Sequence, residues 1–344
     1  MKYFEAHDIT EYKDANGQTP EILMIDGNRA AGKTTAFSRK FVEDFKMTGK
    51  KFMLLYRYAN ELTNIAEAFF KDIKGLFFPD DEMTDKTQAH GAFIELFLNG
   101  KSCGYAAALN TAGKLKHYSH IFSDVGQILF DEYQLENGFY IQNEIQKFIS
   151  IHMTVARGQG QVVRFVPVYM LSNSVSIFNP YYEAFGIAER INSRTKQLRG
   201  DGWVLLRLML QEVAKEQEKS AFNRAFAGSR YTQAATDNSF LNDDTYNIKK
   251  RDTADLQPLF CFYSNGETFQ VYGNRAEMYG RRGGIIPDVP VYGAQHHDRT
   301  GDIKSIQTTG YLWAKVRVLY QDGAFTFDSP KTKRAVLRMI FDRL

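Results

Sequence analysis

The 344-residue sequence is poor in the features that would place it quickly. It has two cysteines, Cys103 and Cys261, far apart and without CxxC spacing. That excludes a disulfide framework and a cysteine zinc site, and fits two inert thiols in a reducing compartment. Met1 to Gly17 carries mixed charge and has no apolar core, so it does not read as a signal peptide. No apolar run reaches the length of a membrane span; the longest, Trp203 to Leu210, is interrupted by Arg207. A cytoplasmic protein, in its own or a host cell, is expected. A formal net charge of only +3 gives no overall nucleic-acid signature. There is no internal repeat and no low-complexity segment. What remains, at 44% hydrophobic and 24% charged residues, is an ordinary globular chain long enough for two domains.

One stretch organises the rest. Gly27-Asn28-Arg29-Ala30-Ala31-Gly32-Lys33-Thr34 fits G-x-x-x-x-G-K-[ST], the Walker A phosphate loop, without a mismatch. Two glycines let backbone N–H groups wrap an anion closely. The following helix N-terminus adds further donors, including the N–H of Thr35. Lys33 is placed to reach the β- and γ-phosphates of ATP, and the Thr34 hydroxyl to bind Mg²⁺. The context agrees: Ile22 to Ile25 is a short apolar run, and Phe37, Phe41, Val42 and Phe45 recur at helical spacing.

Further strand-like runs are Lys51 to Arg57, ending in a charge, Gln127 to Glu132, ending in two acids, and Val162 to Leu171, with helical patterns over Glu61 to Phe70 and Asn143 to Ala156. This alternation predicts an α/β fold with a parallel sheet. Asn99-Gly100 and Asn265-Gly266 each sit between apolar runs and predict hairpins. A helix is expected over Leu208 to Ala227. Ala227 to Asp244 is rich in Ser, Thr, Asn, Asp and Gly and is the best linker candidate. The organisation expected is therefore 1–200 as the nucleotide domain, 201–242 as a lid or linker, and 243–344 as a smaller α+β domain. In the last part Arg281-Arg282-Gly283-Gly284 reads as a basic turn. Thr309 to Tyr320 and Pro330 to Leu344 read as helices around a short strand, Ala324 to Phe327.

Three other places carry chemistry. Asp131 and Glu132 close the run Ile128-Leu129-Phe130. An Asp at a strand end, the Walker B position, holds Mg²⁺, and an adjacent Glu can act as general base on water. Leu171-Ser172-Asn173 closes the next run, where Asn173 can contact the γ-phosphate or serve only as a cap. Arg157, within Ala156-Arg157-Gly158-Gln159-Gly160, can be an arginine finger or a helix-end charge. Spacing alone favours the helix-end charge. The C-terminal acids, from Asp243 to Asp322, are scattered and do not read as a two-metal nuclease centre. Lys331, Lys333, Arg334, Arg338 and Arg343 on the final helix read first as a solvated face, and second as a docking surface.

Taken together, the phosphate loop, Tyr56-Arg57-Tyr58, the Ile-Leu-Phe-Asp-Glu strand, and the run Leu171-Ser172-Asn173-Ser174-Val175-Ser176-Ile177-Phe178-Asn179-Pro180-Tyr181 resemble the DNA-packaging (encapsidation) ATPases of small protein-primed tailed phages, the φ29 type. The resemblance implies an additional-strand (ASCE, HerA/FtsK-like) P-loop NTPase domain and a C-terminal domain with an RNase H or nuclease-like fold, vestigial in activity. It implies a homomeric ring, pentameric in the family, that uses ATP and Mg²⁺ to drive double-stranded DNA into a procapsid in the host cytoplasm. Partners implied are the portal (connector) and a packaging RNA; a membrane is not among them. It assigns Lys33 and Thr34 to the phosphate loop, Asp131 to magnesium and Glu132 to catalysis. It makes Arg157 a trans-acting arginine, against the reading from spacing, and places Lys116 near a basic residue acting between subunits. Ala30 and Ala31 fill positions where relatives often have glycine. Other readings of the same site are a solitary P-loop ATPase or kinase and a nucleotide-gated nucleic-acid-binding module.

Overall fold

A computed structural model describes residues 4–62, 65–136, 140–157, 163–177, 179–188, 190–191, 195–208, 214–215, 219–226, 229, 240, 247–295, 298–301 and 303–341. The chain divides into two compact units. The first comprises 1–135, 144–175 and 189–241; the second comprises 136–143, 176–188 and 242–344.

The first unit is built on a nine-stranded sheet, in the order β3-β4-β5-β2-β6-β7-β1-β9-β8. Its strands are β1 (Ile22–Gly27), β2 (Lys51–Tyr56), β3 (Met83–Gln88), β4 (Phe93–Leu98), β5 (Lys101–Ala108), β6 (Val125–Phe130), β7 (Val168–Asn173), β8 (Gln197–Gly200) and β9 (Trp203–Leu208). The six central strands run parallel, and the outer β3, β4 and β8 pair antiparallel. β6 is buried along its whole length, as a strand covered on both faces must be. β7 lies between the phosphate-loop strand β1 and the acid-bearing strand β6, which is the additional-strand order.

The core explains the position of helix α1 (Lys33–Thr48). Phe37, Phe41 and Val42 fall on one face and are buried. Phe37 meets Tyr169 of β7 at 4.9 Å between ring centres, and Phe41 meets Phe52 of β2 at 5.6 Å. Aromatic pairs at this distance contribute about 0.5–1.5 kcal/mol beyond the area they bury. They fix α1 against the sheet and hence the loop at its N-terminus.

Three expectations need correction. The boundary at residue 200 cuts the β8–β9 hairpin, and β9 lies beside β1 in full register, so 203–208 belongs to the nucleotide domain. The apolar side chains Val204, Leu205 and Leu206 need a sheet position to be buried, and a lid would expose them. The strand expected from Val162 begins only at Val168. The predicted turn at Arg281-Arg282 is the end of strand β12 (Met278–Arg282). Most of the helix expected over 208–227 and of the linker over 227–244 lies outside the described residues; within them a short helix spans Ala221–Ala225.

The second unit carries a five-stranded sheet in the order β13-β10-β11-β12-β14. The strands β10 (Gln257–Ser264), β11 (Glu267–Gly273) and β12 form an antiparallel meander, with β13 (Val291–Gly293) parallel to β10 and β14 (Phe325–Phe327) parallel to β12. Phe260, Phe262, Phe269, Phe325 and Phe327 fill its core. Helices Gly310–Gln321 and Pro330–Phe341 pack on it. The final helix is not simply a solvated basic face. Lys333 is 3% exposed, Lys331 pairs with Glu267 at 2.7 Å and Arg338 pairs with Glu183 at 3.1 Å. Asn179-Pro180-Tyr181 finds a local cause here: Asn179 accepts the N–H of Tyr182 as N-cap, Pro180 opens the helix Pro180–Ala184, and Tyr181 is buried.

Candidate active site

The site forms where β1, β6 and β7 end. β1 delivers the chain into the loop, which turns on Gly32 with φ of 79° before α1 begins. That left-handed conformation suits glycine, whereas Ala30 adopts φ of 57° at a steric cost. Gly27 suits a close approach: a Cβ there would lie 3.0 Å from the Leu208 carbonyl of β9. The N-terminus of α1 has no side-chain cap and no acid in its first turn. The terminal N–H groups of a sixteen-residue helix therefore point to an anion.

Lys33 folds back into the loop. Its Nζ donates to the carbonyls of Gly27 at 3.3 Å and Asn28 at 3.0 Å and to Asn173 Oδ1 at 3.4 Å. Burial brings its pKa down to about 8, while Asp26 and Asp131 pull it back upward. It remains mostly protonated at neutral pH. Asn28 and Ala31 are buried in the loop floor; Arg29, Ala30 and Thr34 are exposed, and Thr35 is half-buried.

Thr34 Oγ1 donates to Asp131 Oδ2 at 2.7 Å, although the two residues are 97 apart in sequence. A hydroxyl and a carboxylate meeting at the loop's edge are hard oxygen ligands, and Mg²⁺ is commonly held by one or two carboxylates with substrate phosphates supplying the rest. The donor set fits Mg²⁺. Burial pushes the Asp131 carboxyl above its usual range. The Glu132 carboxyl is pushed up too, by burial first and then by the Asp131 charge beside it. A carboxylate poised closer to neutrality is better suited to taking a proton from water.

Arg157 is exposed two residues beyond helix α4 (Glu144–Val155; α2 is Ile65–Phe77 and the short α3 is Ala112–Leu115), and its side chain has no hydrogen bond or ion pair among the described residues. The helix-end role is taken by another residue: Arg164 donates to the last carbonyl of α4, that of Val155, at 2.6 Å. Lys116 is exposed at the head of the 3-10 stretch Lys116–Phe122, likewise without a side-chain partner among the described residues. The structure thus brings together Lys33, Thr34, Asp131, Glu132 and Asn173, and leaves Arg157 and Lys116 at the surface.

Several residues of the site were given no role by the sequence reading. Arg57 at the end of β2 is 3% exposed and forms a buried ion pair with Glu144 at 2.9 Å. Its other donors reach the carbonyls of Glu132 at 3.1 Å and Tyr133 at 2.9 Å. Asp26, Tyr133 and Gln134 form a second buried polar group behind the loop. An acid closing the apolar run Ile22 to Ile25 was the one available hint.

Residues 18–343 match the podovirus DNA encapsidation protein (Gp16) family. The chain belongs to that family. It is a phage DNA-packaging protein of the φ29 type. Among its relatives, the DNA packaging protein of Bacillus phage phi29 is 29% identical over 262 residues, covering 75% of this chain and 74% of the relative. That of Bacillus phage B103 is 30% identical over 235 residues, covering 67% of each. The fold is shared with two solved assemblies. The Phi-28 gp11 DNA packaging motor superposes with a TM-score of 0.60 at 17% identity, covering 98% of this chain and 97% of the other. The bacteriophage Phi-29 viral genome packaging motor assembly gives a TM-score of 0.57 at 21% identity, covering 98% of each.

Proposed function

We propose that this encapsidation protein is the ATP-hydrolysing subunit of a homomeric ring, pentameric as in the φ29 type, that drives double-stranded DNA through the portal into the procapsid. The convergence of Lys33, Thr34, Asp131, Glu132 and Asn173 on one uncapped helix end carries the reading, together with family membership. Loop N–H groups from Gly27 to Thr35 hold the phosphates and Lys33 offsets their charge. Thr34 and Asp131 would hold Mg²⁺, which would supply positive charge to offset that of the phosphates. Glu132 takes the proton of the attacking water. Asn173, which accepts a hydrogen bond from Lys33, is assigned to the γ-phosphate or that water. Arg157 serves a neighbouring subunit, and its exposure together with the Arg164 cap supports that role over the helix-end one. Lys116 is assigned to the same subunit boundary. The second unit, nuclease-like by resemblance, is taken as vestigial: Asp255, Glu267 and Glu277 are tied in ion pairs. The ring works docked on the procapsid in the host cytoplasm, with a packaging RNA as a further partner.

Mixing tests the reading. Arg157→Ala subunits keep Lys33, and Lys33→Ala subunits keep Arg157. Neither homomer is expected to turn over ATP, because a finger contributes on the order of 10³–10⁵ in rate. Mixed rings should recover DNA-stimulated hydrolysis wherever an intact loop faces an intact arginine. A dead mixture in rings shown to be mixed, or full activity of Arg157→Ala alone, removes the trans role.

A further inference from the structure

Glu132 stands on a strained turn. Its φ is 53°, a left-handed conformation that costs a non-glycine residue free energy and persists only where the surroundings over-determine it. The next two residues dive back into the protein, Tyr133 at 0% and Gln134 at 3% exposure. Both end on one carboxylate. The Tyr133 hydroxyl donates to Asp26 Oδ1 at 2.6 Å, and Gln134 Nε2 donates to Asp26 Oδ2 at 2.8 Å. Asp26 is fully buried at the end of β1, immediately before the phosphate loop.

The same two residues also clasp the end of β7. Tyr133 N–H donates to the Leu171 carbonyl at 3.1 Å. Gln134 N–H donates to Ser172 Oγ at 3.3 Å, and its side-chain carbonyl accepts the N–H of Val175 at 3.2 Å. The ends of three neighbouring strands, β1, β6 and β7, are therefore cross-linked through Gln134. None of these groups is among those assigned to nucleotide, magnesium or water.

We propose that Asp26, Tyr133 and Gln134 form a positioning lock that fixes the Glu132 turn relative to the phosphate loop, so that the base meets the attacking water in register with the γ-phosphate. The inference rests on Glu132 being the base. The lock acts through geometry, so weakening it lowers kcat with little change in nucleotide affinity, since the loop, Lys33 and Thr34 remain in place. A tenfold rate loss needs only about 1.4 kcal/mol at the transition state.

The hydrogen-bond polarity provides a specific test. In Gln134→Glu the amide donor to Asp26 Oδ2 is lost and two carboxylates face each other there, while the Tyr133 hydroxyl still bonds Asp26 Oδ1. In the double variant Asp26→Asn/Gln134→Glu the direction is reversed: the amide at 26 donates to the carboxylate at 134, which still accepts from Val175, while the carbonyl at 26 still accepts from Tyr133. ATP turnover, nucleotide affinity by titration and thermal melting should be measured for Gln134→Glu, the double variant and Tyr133→Phe. Expected are at least a tenfold fall in kcat for Gln134→Glu at near-parental affinity, recovery of most of it in the double variant, and a several-fold fall for Tyr133→Phe. If Gln134→Glu does not fold, Tyr133→Phe decides. Parental kcat in the folded single variants, or a loss of rate matched by a loss of affinity and not recovered by the swap, overturns the lock. Glu132→Gln, run alongside, separates the two readings. Normal turnover there removes the base assignment, whereas a dead Glu132→Gln beside fully active lock variants removes the lock alone.

Discussion

The two units use acids in opposite ways. At the strand ends of the first unit, Asp131 and Glu132 are pushed toward neutrality by burial, and the groups bonded to Asp131 are a hydroxyl and a backbone N–H. In the second unit Glu267 lies between Lys331 and Arg282, at 2.7 and 2.8 Å, and its carboxyl is held below the usual range by the lysine first. Asp255 and Glu277 share Arg251. Asp298 accepts the N–H groups of Asn265 and Gln295. An acid whose charge is already matched by a fixed cation has little to offer a metal or a proton. One raised by burial beside a phosphate loop does.

The largest expected break in this comparison is Glu132→Gln. The amide cannot take the water's proton, so hydrolysis should fall by on the order of 10²–10⁴ while nucleotide binding persists. Equal loss of binding in a titration would make Glu132 a structural group. A smaller effect follows from Lys33. Phosphate favours its protonated form, whereas the empty loop gives up the proton as pH rises through about 8. Nucleotide binding at pH 8.5 should therefore take up protons, and affinity should fall by up to about tenfold per pH unit above 8. Calorimetry in two buffers of different ionisation enthalpy reads the proton count; none taken up means Lys33 stays charged in the empty loop. The smallest effect sharpens the contrast from the other side: Glu277→Gln, which disturbs only the Arg251 pair, should leave ATP turnover at the parental level. A marked fall in turnover would give the second unit a part in hydrolysis.

Much of this was legible in the sequence where the cause is local. The loop, Asp131 and Glu132 depend on neighbours within a few residues. So do both Asn-Gly hairpins, where Asn99, Gly100, Asn265 and Gly266 all take the positive φ that a type I′ turn needs. What sequence could not give is pairing at a distance. Asp26 meets Tyr133 and Gln134 across 107 and 108 residues, and Arg57 meets Glu144 across 87. A buried polar residue declares its partner only once the strands are ordered. β9 was misplaced for the same reason: its apolar run was visible, but its seat beside β1 is a tertiary fact. β3 carries Thr84, Asp85, Lys86 and Thr87, with no alternation to reveal a strand.

That outer strand has a consequence for assembly. Among the described residues β3 is an outermost strand of the sheet, and Thr84, Asp85, Lys86 and Thr87 are all exposed there; the opposite rim, β8, is only four residues long. Charged or very short rims discourage sheet-to-sheet zippering between copies. For the ring proposed above this would suppress indiscriminate lateral polymerisation into fibres and leave association to surfaces that close on themselves.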